Sequence, residues 1–312
     1  MSIAVTVFAS PIKALAQSPV TKAPRVGYLR GIDFYKGPKL VSTFASAMRG
    51  YRKFHGVYPN MLRPVGFSEK LLKSIFFAEM KVPESGNKLL TSSFIPADLK
   101  SSLGVPKIVW HSPAAKLPRN DEMKPGSYYL KASHGSGMFE RIRYPLGDDE
   151  CSSLERTCEQ WLRREFGPST GEWWYNTFEK EILIEEQVGS ENDSVSWYFY
   201  VFDGVIGHIT AHRKNDLGGE FTWFNENFEI SPYQDPKFAR IENICLTADT
   251  KNKLKRYASA IGRRFGFVRV DFLVDGDQNI YLGEMTFSPA RAHNSFPSEL
   301  QAHLGNLWSQ EY

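Results

Sequence analysis

Arg269 and Asp271 stand two residues apart, as do Glu284 and Thr286, in segments whose composition reads as strands over 267–274 and 279–286. Alternate residues of a strand share a face, so each pair points one way. A short turn centred on Gly276 and Asp277 would set Arg269 opposite Glu284 and Asp271 diagonal to it, roughly 7 Å away. Carboxylates at that separation can share a cation. Mg²⁺ takes hard oxygen ligands, commonly one or two carboxylates, with phosphate oxygens and water completing the shell. The same residues also satisfy a plainer arrangement, a cross-strand salt bridge between Arg269 and Glu284.

Two further groups could serve a phosphorylated ligand. Lys131 ends a strand expected over 127–133 and is followed by His134, Gly135, Ser136 and Gly137. Two glycines in a tight loop let backbone N–H groups converge on phosphate oxygens, and Lys131 adds positive charge. The lysine precedes the glycines and no Lys-Ser/Thr helix follows, so this is not a Walker loop. Taken alone, such a loop can equally be a simple turn. The third group is Glu185, Glu186, Gln187 and Val188 after the apolar residues 182–184. The backbone of Gln187 and Val188 could meet an adenine edge while Glu185 accepts from its amine. The alternative is a solvated acidic patch.

The elements that must carry these groups change along the chain. Up to about residue 105 it reads as helical and irregular, with helices over 43–54 and 68–80, the second opened by Ser68 and Glu69 ahead of an apolar stripe. Residues 112–126 form a surface loop. Beyond them come a strand over 139–144, a helix over 152–166, and a hairpin of 196–202 and 205–211 turned by Asp203-Gly204. An amphipathic helix over 253–265 precedes the last hairpin. Antiparallel hairpins mixed with helices define an α+β class.

Composition narrows the partners. Lys and Arg exceed Asp and Glu by only 38 − 35 = 3, which gives no reason for nucleic acid as the main partner. No apolar run reaches the roughly 18 residues of a membrane span. Three irregularly spaced cysteines suit neither a disulfide scaffold nor a zinc site, and their odd number fits a reducing, cytoplasmic compartment. Ile3 to Ala9 is apolar and Ala14-Leu15-Ala16 has the form of a cleavage site. No basic residue precedes the apolar run, however, and Pro11 and Lys13 interrupt it, so a loosely packed leader is expected.

In sequence order, these segments resemble the ATP-grasp superfamily, and within it the TupA-like proteins of teichuronopeptide and surface-polysaccharide synthesis. The resemblance rests on Gly66-Phe67-Ser68-Glu69-Lys70-Leu71, Leu130-Lys131-Ala132-Ser133-His134-Gly135-Ser136-Gly137 and Ile182-Leu183-Ile184-Glu185-Glu186. It continues in Tyr198-Phe199-Tyr200-Val201-Phe202-Asp203-Gly204, Arg269-Val270-Asp271-Phe272 and Gly283-Glu284-Met285-Thr286-Phe287. It implies an ATP-grasp fold in which two α+β lobes, 106–190 and 191–312, grip the nucleotide beside a mostly helical region 1–105. It further implies ATP and Mg²⁺ as cofactors, with Lys131 at the adenine side or α-phosphate and the loop 134–137 over the β- and γ-phosphates. Glu185, Gln187 and Val188 would form the adenine hinge. Asp271 and Glu284 would be metal ligands, with Thr286 where many relatives have Asn, and Arg269 would lie at the transferring phosphoryl, with Arg213 a second phosphate contact. The implied activity is carboxylate–amine ligation through an acyl phosphate, on a small or glycan-linked carboxylate acceptor with an amine co-substrate, in polysaccharide or cell-wall polymer synthesis. A kinase acting on a hydroxyl, or a degenerate ATP-binding protein, would share the nucleotide site. The intact Arg269, Asp271 and Glu284 argue against degeneracy. Residues 92–105 lack the Asp-Lys pair that the family places near there, and the first 60 or so residues match no part of the pattern.

Overall fold

The computed structural model describes residues 30–310 except 81, 190–194, 214–218 and 236, so the expected leader lies outside the described residues. Two antiparallel sheets organise the chain. The first has order β1-β4-β2-β3, from β1 (Ile108–Ser112), β2 (Gly126–Ala132), β3 (Phe139–Tyr144) and β4 (Ile182–Glu186). The second has order β7-β6-β5-β8-β9, from β5 (Val195–Phe202), β6 (Val205–Arg213), β7 (Glu220–Phe224), β8 (Val268–Val274) and β9 (Ile280–Thr286). The region before them is mostly helical: α1 (Gly31–Phe34), α2 (Gly37–His55), α3 (Phe67–Phe77) and short 3₁₀ turns.

Each sheet is backed by one helix. The helix α4 (Asp148–Arg163) seals the first sheet, with Cys158 fully buried among Leu130, Ile142 and Ile184. The helix α5 (Ala248–Gly262) backs the second. Its Leu254, Tyr257, Ala258 and Ile261 recur at the helical period and meet Phe199, Val270 and Phe272. Burying such side chains stabilises the fold by about 1.5–3 kcal/mol each. Phe94, Leu99 and Leu103 join this same core, which ties the N-terminal region to the second sheet.

Local chemistry moves two helix starts from their expected places. Thr247 caps α5 by accepting the Thr250 N–H at 3.1 Å, so the helix begins five residues before 253. In α3 the cap is Gly66, and Ser68 already lies inside the helix. Glu69 folds back to accept N–H groups from Asn60 (2.8 Å), Val65 (3.0 Å) and Gly66 (3.3 Å). The β5–β6 turn forms as expected, with Asp203 and Gly204 both at positive φ, 48° and 87°. Strands β1 and β7 and the helix α6 (Ser298–Leu307) are additions to the elements expected from sequence.

The second face of the large sheet is shared. At one end α3 and α6 cover Tyr200, Phe202 and Phe267, and Tyr198, Arg269 and Asp271 lie further along the same face. The α3–α6 contact is close: a Cβ on Gly305 would meet the Val65 carbonyl oxygen at 2.0 Å. Gly305→Ala should therefore lower stability by about 1–3 kcal/mol, although alanine favours a helix. Urea midpoints of the variant and wild type check the loss.

Candidate active site

The site is built on β8 and β9. Their connection is a five-residue loop, in which Gln278 N–H bonds Asp275 C=O at 3.0 Å and Asp275 N–H bonds Asn279 C=O at 3.2 Å. Pairing slips between Asp271 and Phe272, where Gly283 forms a bulge, so Asp271 faces Glu284 while Phe272 faces Leu282. The expected register is thus corrected by two residues, one from the longer loop and one from the bulge. An even shift preserves the faces. Asp271 stands directly opposite Glu284, not diagonal, and Arg269 stands opposite Thr286.

The side chains close into one network. Arg269 grips Asp271 with two hydrogen bonds, 2.7 and 2.5 Å, donates to Thr286 Oγ1 at 3.2 Å and lies 3.7 Å from Glu284. Its guanidinium stacks over the Tyr198 ring, 4.4 Å from the centroid. The anticipated Arg269–Glu284 salt bridge is therefore present alongside the Asp271 pair. Burial, reinforced by the Glu284 carboxylate, outweighs the Arg269 pairing and lifts the Asp271 pKa to about 7. Glu284 is the open member: its side chain is 39% exposed, against 7% for Asp271. Two facing carboxylates and a hydroxyl suit Mg²⁺ when phosphate and water supply the other positions. Among the described residues no cluster of three or more His, Cys, Asp or Glu could form an all-protein cage.

The first sheet supplies the opposing groups. Lys131 of β2 and Glu185 of β4 lie diagonally across one strand pair, share a face and form an ion pair. In the loop after β2, Gly135 and Gly137 have φ of +64° and +71°, and Ser136 and Gly137 are exposed. His134 is fully buried, and burial with the nearby Lys180 and Lys88 charges outweighs its backbone contacts at Trp161 and Arg164 and lowers its pKa to about 4. Gln187 and Val188 follow β4 at the strand end and are partly buried. Arg213 lies apart. It pairs with Glu220 at 3.6 Å, on the opposite parity from His212, and His212 is the residue whose Nδ1 meets the Tyr198 hydroxyl at 2.9 Å on the Asp271 face.

Lys88 was not among the expected residues and connects the two sheets. Its ammonium donates to the Gly135 carbonyl at 2.6 Å, and its N–H bonds the Ser133 carbonyl at 2.9 Å. Burial lowers its pKa, while Glu284 and Glu185 favour its charge and Lys131 opposes it. One cation therefore senses both candidate groups. The preceding Asn87 caps the turn by accepting the Leu89 N–H. No motif of the sequence analysis includes Lys88, which lies just before the 92–105 stretch.

The chain matches the TupA-like ATP-grasp family model over residues 109–309. It belongs to that family, and its α+β architecture is the ATP-grasp fold expected from sequence. Among solved structures it is similar to an ATP-grasp ligase, PsnB, complexed with minimal precursor, at 13% identity and a TM-score of 0.39, covering 71% of this chain and 60% of that one. It is also similar to the D-alanine–D-alanine ligase from Bacillus anthracis (16%, TM-score 0.42, 66% and 59%) and the L-amino acid ligase from Bacillus licheniformis (15%, 0.44, 79% and 55%). The chain thus spans about 60% of the length of the first of these structures. No curated protein matches it.

The buried histidines set an acid limit. His134 and His208, the latter lowered to about 3 by burial and His303, stay neutral in the fold, whereas an unfolded histidine protonates near pH 6.5. Their stabilisation is present above pH 6.5 and is lost as pH falls through the folded values, on the order of 1–3 kcal/mol each. Urea midpoints should fall between pH 6.5 and 4, and His134→Phe should flatten that slope.

Proposed function

We propose that the protein is a Mg·ATP-dependent carboxylate–amine ligase working through an acyl phosphate, in the synthesis of a surface polysaccharide or cell-wall polymer. The family supports ATP use, and the observation that carries the site assignment is the network of Arg269, Asp271, Glu284 and Thr286 on one face of β8 and β9. In this reading lobes 106–190 and 191–312 hold the nucleotide between them, with 1–105 alongside.

Each residue then has a task. Glu185 accepts from the adenine amine, and the backbone of Gln187 and Val188 forms the hinge. Lys131, Lys88 and the exposed N–H groups of Ser136 and Gly137 meet the phosphates. Asp271 and Glu284 would hold Mg²⁺, with Thr286 beside them; the ion supplies charge neutralisation on the phosphate oxygens. Arg269 turns from Asp271 towards the transferring γ-phosphoryl. The acceptor carboxylate attacks that phosphorus and ADP leaves. The amine then attacks the acyl carbon, losing a proton, and inorganic phosphate departs as the amide forms. Preorganised charge does most of the work.

Product analysis tests the reaction: a ligase releases free phosphate together with an amide, whereas phosphate retained on a hydroxyl product would make the protein a kinase. Glu284→Gln and Asp271→Asn should each lower turnover at least about 100-fold with circular dichroism unchanged, and wild-type rates in both would remove the metal assignment. Lys88→Met should weaken ATP binding at least about tenfold, read by calorimetry. Protons compete with the metal for Asp271, so apparent Mg²⁺ affinity should fall as pH drops below about 7 and level off above it. Mg²⁺ titrations at several pH values check the sign.

A further inference from the structure

Charge is unevenly distributed along the chain. Residues 1–65 hold ten Lys and Arg and one acidic residue, Asp33, a net of +9; with +3 overall, the remainder carries −6. Asp33 is itself paired with Arg30 at 2.8 Å, and residues 36–65 contain no Asp or Glu. That same stretch holds six of the ten large apolar side chains exposed on the described surface: Val41, Phe54, Val57, Tyr58, Leu62 and Val65. Leu62 is 90% exposed, the most of any.

The surface is built rather than loose. On α2 the inward stripe is Thr43, Ala47 and Tyr51, while Val41, Arg49 and Arg52 fall on the outward side at helical spacing. Arg52 lies over the Tyr58 ring at 4.9 Å and donates to its hydroxyl at 3.3 Å. The loop after α2 is pinned where Glu69 accepts from Asn60 and Val65 (2.8 and 3.0 Å) and Asn60 accepts from Arg63 (3.0 Å). The pins hold Leu62 outward.

We propose that this face docks on an anionic lipid bilayer, with Val57, Leu62 and Val65 entering the headgroup–acyl boundary while Arg49, Arg52, Lys53 and Arg63 meet lipid phosphates. Apolar insertion combined with cations is how interfacial elements bind, and two weak signals together give stable attachment. No described helix is long and apolar enough to cross a membrane, and the contact proposed is a peripheral one. Charge selects this occupant. Residues 1–29 carry three basic residues and no acid, and a second copy would set like charge against like. A nucleic acid would use the cations and leave Leu62 in water. The face is also tied to the turn after β9, where His55 Nε2 bonds the Ala292 carbonyl at 2.8 Å.

Co-sedimentation of the full chain with vesicles tests this, using phosphatidylcholine alone and with about one third phosphatidylglycerol. Binding should require the anionic lipid and weaken in about 0.5 M NaCl. It should drop at least about tenfold in Leu62→Glu and in the Arg52→Glu/Arg63→Glu double variant. Ile230→Glu, at an exposed position elsewhere, should bind as wild type, and melting midpoints should confirm that all variants fold. Absence of binding by wild type, or undiminished binding by Leu62→Glu, would overturn the proposal. Tighter binding to an oligonucleotide than to the vesicles, or a wild-type dimer that Leu62→Glu splits, would overturn it as well.

Discussion

A buried carboxylate that faces a second carboxylate across adjacent strands needs a cation to stay charged. Asp271 and Glu284 are in that position, and the surrounding residues answer the constraint. Arg269 neutralises Asp271 from the same strand, Tyr198 supports the guanidinium from β5, and Lys88 brings a second cation from outside the sheet. Arg269 fills the electrostatic place that the proposed metal would take, so in the proposed mechanism metal entry would go with release of Arg269 from Asp271.

The rest of the fold holds this pair still. The buried side of β8 packs Val268, Val270 and Phe272 against α5, which fixes the strand's rotation and hence the direction of Arg269 and Asp271. The bulge at Gly283 brings the β9 backbone close to β8, where a Cβ would stand 3.3 Å from the Asp271 carbonyl. The helix α3 of the N-terminal region and α6 near the other end of the chain close the other end of the face, and the N-terminal region sends Lys88 to the glycine loop.

Much of this is legible from sequence where local chemistry is decisive. Asp203-Gly204 specifies its hairpin through two positive φ values, and the alternation in 139–144 matches β3. Parity alone puts Arg269 with Asp271 and Glu284 with Thr286. What escapes depends on non-local structure. Register could not be read because the Gly283 bulge leaves no compositional mark beyond one glycine. Strand β1 is partly buried nearly throughout, so it lacks the alternation that would reveal it. Arg213 stands one residue beyond His212 and so on the opposite face of β6, a placement that only the register reveals. The resemblance directs attention to His134 as a member of the glycine loop, but whether its ring turns inward is decided by the packing behind the loop. Lys88 is outside every motif read from sequence, and only the fold carries it to the glycine loop.

The most direct test of the central claim is the thermal midpoint of the purified protein with ATP and Mg²⁺, measured on wild type and Glu284→Gln. A ligand that binds only the folded state raises the midpoint by an amount set by its concentration over Kd. A site held by Asp271 and Glu284 predicts an upward shift that requires Mg²⁺ and shrinks in the variant. No shift at millimolar nucleotide, or an equal shift in both proteins, would contradict it.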